Sequence, residues 1–198
     1  AGAYFNFQAE NLPGTVWDDV GAVVGPKGPA GDENRDAALV LSPPGSLIID
    51  SSSNIISKVA GGNSWNASAY SQTSYVGGAK ASFSPMSTNA TFQIGLSTDP
   101  NPTGNSNDDG YVYINAAWRF GDNGWAEAYV GGNAQASISP SQYAPGDYFS
   151  VRRENNKFIF QIRELEFEVT ASSTGNYSPY YFDSSFYTQA DDITQWLS

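Results

Sequence analysis

Apolar and polar residues alternate with a period of two over much of the chain, and the clearest case lies between Tyr148 and Arg163. Phe149 and Val151, then Phe158, Phe160 and Ile162, recur at every second position, with mostly polar residues between them. That period sends successive side chains to opposite faces of a strand. Asn155-Asn156 separates the two runs and tolerates the positive φ of a two-residue turn. The pattern predicts a hairpin with one face in a core and the other in water. Similar short runs at Ile55–Val59, Lys80–Phe83, Thr91–Leu96, Tyr111–Asn115, Trp125–Val130, Ala136–Ile138 and Phe167–Thr170 are punctuated by Gly, Asn, Asp and Pro. Many short strands broken by turn residues are the signature of an all-β sandwich.

The first quarter reads differently. Tyr4–Gln8 is a strand candidate, followed by turn chemistry at Pro13-Gly14 and Asp18-Asp19. Ala37–Leu41 and Leu47–Ile49, split by Pro43-Pro44-Gly45, read as two strands or one broken strand. Between them and the first strand, Gly25-Pro26-Lys27-Gly28-Pro29-Ala30-Gly31-Asp32-Glu33 carries Gly at every third position for three triplets. Collagen needs that spacing because only Gly fits at its axis. Two readings stay open: a polar Gly/Pro loop, or a small trimer clasp. Residues 1–53 are therefore set apart as an N-terminal arm or additional strands, and 54–198 as the sandwich proper.

Composition narrows the chemistry. The 198 residues suit one β domain, and 12 Tyr, 11 Phe and 5 Trp favour half-buried pleated surfaces. Twenty acidic against nine basic groups leave a net charge of −11. No basic stripe exists to displace counterions, so no nucleic acid is expected as a partner, and an anionic membrane surface is disfavoured for the same reason. No run approaches the ~18 apolar residues of a membrane span, so no membrane insertion is expected. The excess of acid suits a soluble exterior protein, or one from a salty medium where self-repulsion is screened. Cys and His are both absent, which removes thiolate chemistry, His-ligated zinc and Ser-His-Asp catalysis. Carboxylates, Lys, Tyr and hydroxyls remain.

Several linked segments resemble the concanavalin A-like lectin/glucanase domains found in phage tail and virion proteins and in bacterial surface proteins. They include Gly62-Asn63-Ser64-Trp65-Asn66-Ala67, Ala81-Ser82-Phe83-Ser84-Pro85, Phe92-Gln93-Ile94-Gly95-Leu96-Ser97-Thr98 and Gly110-Tyr111-Val112-Tyr113-Ile114. Further on come Ala126-Glu127-Ala128-Tyr129, Tyr143-Ala144-Pro145-Gly146-Asp147 and Pro179-Tyr180-Tyr181-Phe182-Asp183-Ser184-Ser185-Phe186-Tyr187. The likeness covers the chain from Ser53 onward. It implies an all-β, antiparallel two-sheet jelly-roll sandwich, an architecture that serves lectins, glucanases and structural proteins alike.

Three groups of residues are candidates for a site. Glu164, Glu166 and Glu168 alternate with Leu165 and Phe167, so a strand would put the carboxylates on one face. They resemble the Glu-x-Asp-x-Glu motif of lichenase-type glucanases, with Glu166 in place of the Asp and a position too near the C-terminus; a solvated strand face is the expectation. Asp99, Asp108 and Asp109, in a loop with several Asn, offer oxygen ligands of the kind Ca²⁺ takes, yet match no EF-hand spacing. They read as turn formers, and neither a metal nor another cofactor is expected. Trp118 and Trp125 flank the turn at Asp122 and Asn123, and with Tyr111 and Tyr113 they are candidates to stack on sugar rings.

The leading reading is a non-catalytic recognition or display module of a fibre, capsid decoration or adhesin, extracellular or on a virion surface. Its expected partner is a glycan or a host-cell receptor, and self-association as a trimer is favoured. A purely structural coat protein is the alternative, and a glucanase-like hydrolase using the three glutamates comes third.

Overall fold

The computed structural model describes residues 4–8, 35–50, 53–75, 78–100, 110–135, 141–171 and 178–196, which hold sixteen strands and one 3-10 turn. They form two facing antiparallel layers. The first runs β3 (Leu47–Asp50), β4 (Ile55–Lys58), β16 (Thr194–Trp196), β6 (Gly78–Pro85), β12 (Phe149–Glu154), β13 (Lys157–Ile162) and β14 (Leu165–Thr170). The second runs β2 (Arg35–Ser42), β5 (Ala67–Ser71), β15 (Tyr181–Phe186), β7 (Phe92–Ser97), β8 (Ala116–Phe120) and β9 (Trp125–Val130). Two short strands, β10 (Asn133–Ala134) and β11 (Ser141–Gln142), both pair with β9.

The N-terminal segment contributes to this sandwich. Strand β1 (Tyr4–Gln8) pairs with β6 on one side and with the start of β2 on the other, while the end of β2 pairs with β5. Together β1 and β2 stitch the two layers into one hydrogen-bonded path. Among the described parts of residues 1–53, Tyr4–Gln8, Arg35–Ser42 and Leu47–Asp50 are strands that pair with strands from later in the chain. The Gly-triplet stretch at 25–33 lies outside the described residues, as does the strand candidate Ala136–Ile138.

Aromatic rings from both layers fill the space between them. Phe120 stacks on Phe92 at 4.5 Å and meets Phe149 edge-on at 4.9 Å; Trp118 meets Phe149 and Phe160 edge-on at 5.1 and 5.5 Å. Such pairs add to the burial of large apolar areas. The predicted hairpin forms with Glu154 opposite Lys157, and Asn155 takes φ 49° in the turn.

Two expectations are corrected here. Trp118, a candidate to stack on sugar rings, is fully buried, and its indole N–H donates to the Ser150 carbonyl at 2.9 Å. The cause is register: Phe120 pairs with Ala126, so Trp118 and Ala128 share the inward face while Trp125 falls on the outward one. The three glutamates also do not share a strand. Arg163 and Glu164 form the turn between β13 and β14, with Arg163 at φ 52°, and only Glu166 and Glu168 lie on β14.

Candidate functional site

Strand parity decides what the second layer shows to the outside. On β9 the residues Trp125, Glu127 and Tyr129 face outward, spaced ~6.6–6.8 Å apart along the strand. The pairing registers then align Ser68, Ser185, Gln93, Arg119 and Glu127 in a row across five strands. A second row holds Tyr70, Asp183, Gly95, Ala117 and Tyr129.

Two loops fold over this face. Trp65, just before β5, and Tyr111, in the 3-10 turn at Gly110–Tyr113, pack with ring centres 4.5 Å apart, and Tyr187 stands 5.5 Å from Trp65. The Arg119 guanidinium lies 5.2, 5.4 and 5.5 Å from the rings of Trp65, Tyr111 and Tyr129. Each loop has its own anchor. Gln93 Nε2 donates to the Tyr111 carbonyl at 3.0 Å and Ser97 Oγ to the Tyr113 carbonyl at 3.2 Å, which tie the 3-10 turn to β7. Lys58, buried at 1% exposure, directs its ammonium at the carbonyls of Ser64, Phe186 and Tyr187 at 2.5, 3.2 and 3.0 Å. It holds the Trp65 loop to the end of β15.

The electrostatics of this face are unusual. Asp183 is buried, and burial pushes its carboxyl well above the usual carboxylate range; the Ser184 N–H and the nearby Ser97 side chain oppose that rise, while Asp99 adds to it. Burial, with Asp183 adding, also raises the Tyr70 phenol. Burial raises Tyr129 as well, and its hydroxyl donates to Glu127 Oε2 at 3.2 Å. Gln93 Oε1 is buried without a hydrogen-bond partner. Buried polar atoms are seldom left so.

Of the residues singled out in the sequence, Trp125 and Tyr113 are exposed, at 42% and 39%, and Tyr111 is half-buried against Trp65. Asp122 and Asn123 are exposed in the turn before β9, where Asn123 Oδ1 accepts from the Trp125 N–H at 3.3 Å. Trp118 is inside the core. Asp99 is exposed beside β7, and Asp108 and Asp109 lie outside the described residues. Among the described residues no three His, Cys, Asp or Glu side chains gather as metal ligands.

Glu166 and Glu168 stand on the outer face of the other layer. Glu166 takes Arg152 with both oxygens, at 2.6 and 3.0 Å, and Glu168 pairs with Lys157. The Arg152 contact holds the Glu166 carboxyl below its ordinary range. Sequence reasoning missed Arg119, Gln93, Glu127, Tyr129 and Asp183 as a set. The alternation of Trp125, Glu127 and Tyr129 was legible; their union with residues of β7, β8 and β15 was not.

No protein-family model matches the chain, and no curated protein matches it. Solved structures do. The SPRY domain of human HERC1 is similar with a TM-score of 0.51 at 14% identity, over 75% of this chain and 89% of that one. A Bacillus subtilis protein of unknown function with a galectin-like fold gives 0.51 at 8%, over 79% and 86%. The Emp46p carbohydrate recognition domain gives 0.50 at 10%, over 79% and 84%. At such identities the likeness is one of fold, and the fold is the concanavalin A-like two-sheet jelly roll.

Proposed function

We propose that this chain is a non-catalytic module that binds glycan along the outer face of the second layer, displayed outside a cell or on a virion and favouring a trimer. The observation that carries the reading is the outward line of Trp125, Glu127 and Tyr129 beside Arg119. Flat apolar rings offer stacking surfaces for sugar faces at low rotamer cost, and the polar groups between them meet hydroxyls. The similar fold of the Emp46p carbohydrate recognition domain supports it. So does the role of β1, β2 and β3, which complete the sandwich and leave this face available for recognition.

The non-catalytic part rests on where the carboxylates sit. A glycosidase acid must hold a proton near neutral pH, whereas Glu166 is held ionised by Arg152 on the opposite side of the molecule. Hydrolysis of mixed-linkage and β-1,3 glucans by the wild type should be undetectable; turnover that vanishes in Glu166→Gln would overturn this part.

A glycan array on the wild type and Trp125→Ala tests the binding reading. Loss of one exposed anchor should weaken a bound glycan by ~1–3 kcal/mol, about 5- to 150-fold, with stability changed by no more than about 0.5 kcal/mol. A wild type that binds no glycan, or binding untouched by the substitution, would sink it. Sedimentation of the purified chain tests assembly.

A further inference from the structure

Arg119 differs from Arg152, Arg153 and Arg163 in the company it keeps. Arg152 is held by Glu154 and by both oxygens of Glu166, and Arg163 by Asp147 at 2.5 Å. Arg153 is buried against the rings of Phe158 and Tyr180. Arg119 stands half-buried on the outer face with no carboxylate within 4.0 Å among the described residues. Its cross-strand neighbour Glu127 lies directly opposite, yet takes the Tyr129 hydroxyl instead. In a chain with 20 acidic groups and nine basic ones, a cation left so is unusual.

The surrounding rings explain how it can stay so. Trp65, Tyr111 and Tyr129 lie within 5.5 Å of the guanidinium carbon, and contact with ring faces uses the flat sides of the group. Hydrogen bonding falls to the in-plane N–H fork of a guanidinium, and Tyr129 takes part of that capacity in Arg119. Gln93 holds Tyr111 in place through its carbonyl. Aromatic walls reduce local screening, so an ionic contact made at the fork is stronger than one in bulk water. The net charge of −11 does not cancel this, since charges beyond ~8 Å are largely screened at physiological salt.

We infer that the glycan taken by this face is anionic: a uronic acid whose carboxylate pairs with the Arg119 fork, while a neighbouring hydroxyl donates to Glu127. A planar two-oxygen acceptor is the partner that fits a guanidinium fork. Neutral sugar would leave the cation unneutralised. This rests on the glycan reading above and specifies its ligand class.

The experiment is calorimetric titration with tetramers of galacturonate, glucuronate, mannuronate and guluronate, each beside its methyl ester, which keeps the ring and removes the charge. On the wild type at least one acid should bind about tenfold or more tighter than its ester, as one charge-assisted pair allows. Arg119→Met should bring that acid down to its ester, and Arg119→Lys should keep part of the preference. The acid-to-ester ratio on the wild type stands whether or not the variants fold. Equal binding of acid and ester, or a preference that survives in folded Arg119→Met, overturns the inference and leaves glycan binding intact. So does binding of neutral glycans on the array with none to the four acids. Binding to neither overturns the glycan reading, and this inference with it.

Discussion

The two outer faces of the sandwich carry their polar groups in opposite ways. On the first layer the charges are matched: Arg152 with Glu154 and Glu166, Lys157 with Glu168, Arg163 with Asp147. On the second layer Arg119 lies among rings with no carboxylate within 4.0 Å among the described residues, Gln93 Oε1 has no partner, and Asp183 is buried with its carboxyl pushed toward the neutral form. Closed pairs in water stabilise little and recognise nothing further. Groups held in a ring of aromatics and left open are what a ligand can complete. The difference teaches that charge count is a poor guide to where polar groups are left unmatched, since the glutamate-rich face is the satisfied one.

The sharpest way to break the contrast is through β8, whose neighbours Trp118 and Arg119 point to opposite sides. Trp118→Ala opens a cavity in the aromatic core and should cost ~3–5 kcal/mol in denaturant unfolding. An effect under ~1 kcal/mol would mean that the ring is not enclosed as described. Next comes Lys58→Met, which strands three carbonyls at the base of the Trp65 loop. A loss of about 3 kcal/mol is expected, as when one partner of a buried charged contact is removed, and Trp65 fluorescence should shift with the freed loop.

Acidity offers a third break, because the two faces respond to pH in opposite directions. Asp183 has a raised folded pKa, so the unfolded chain releases this proton first. Its effect is absent below the unfolded carboxylate value of ~3.9, and stability falls as pH rises from there toward the folded value. Glu166 is lowered by Arg152, and its contribution is present above the unfolded value and lost as pH falls through the folded one. Subtracting the Asp183→Asn curve from that of the wild type should leave a slope that declines with pH; a flat difference would place Asp183 in contact with water. The smallest effect belongs to Glu166→Gln. An exposed pair contributes ~0–1 kcal/mol, so thermal unfolding at neutral pH should drop by no more than that, and less in high salt.

The fold was legible wherever the determinants were local. The β12–β13 hairpin carries its own period and its own Asn155-Asn156 turn, and it formed where the alternation placed it. The glutamates were half legible: the alternation held for Glu166 and Glu168, but a turn at Arg163 and Glu164 shortened β14 by one carboxylate. Two tryptophans flanking one turn looked alike, and only the pairing of Phe120 with Ala126 sent Trp118 inward and Trp125 outward.

By itself the sequence determined the class of fold, the many short strands, and a chemistry without thiol or imidazole, because composition and period are written residue by residue. It determined that Trp125, Glu127 and Tyr129 must share a face of any strand that holds them. What only the tertiary structure decided is which face meets water and what stands beside it. Gln93, Arg119, Glu127 and Ser185 are spread over nearly half the chain yet fall in one row, because β15 returns from the C-terminal region to pair with β7. Register across strands is set by the whole packed core, so a site built across them cannot be read from any one of them.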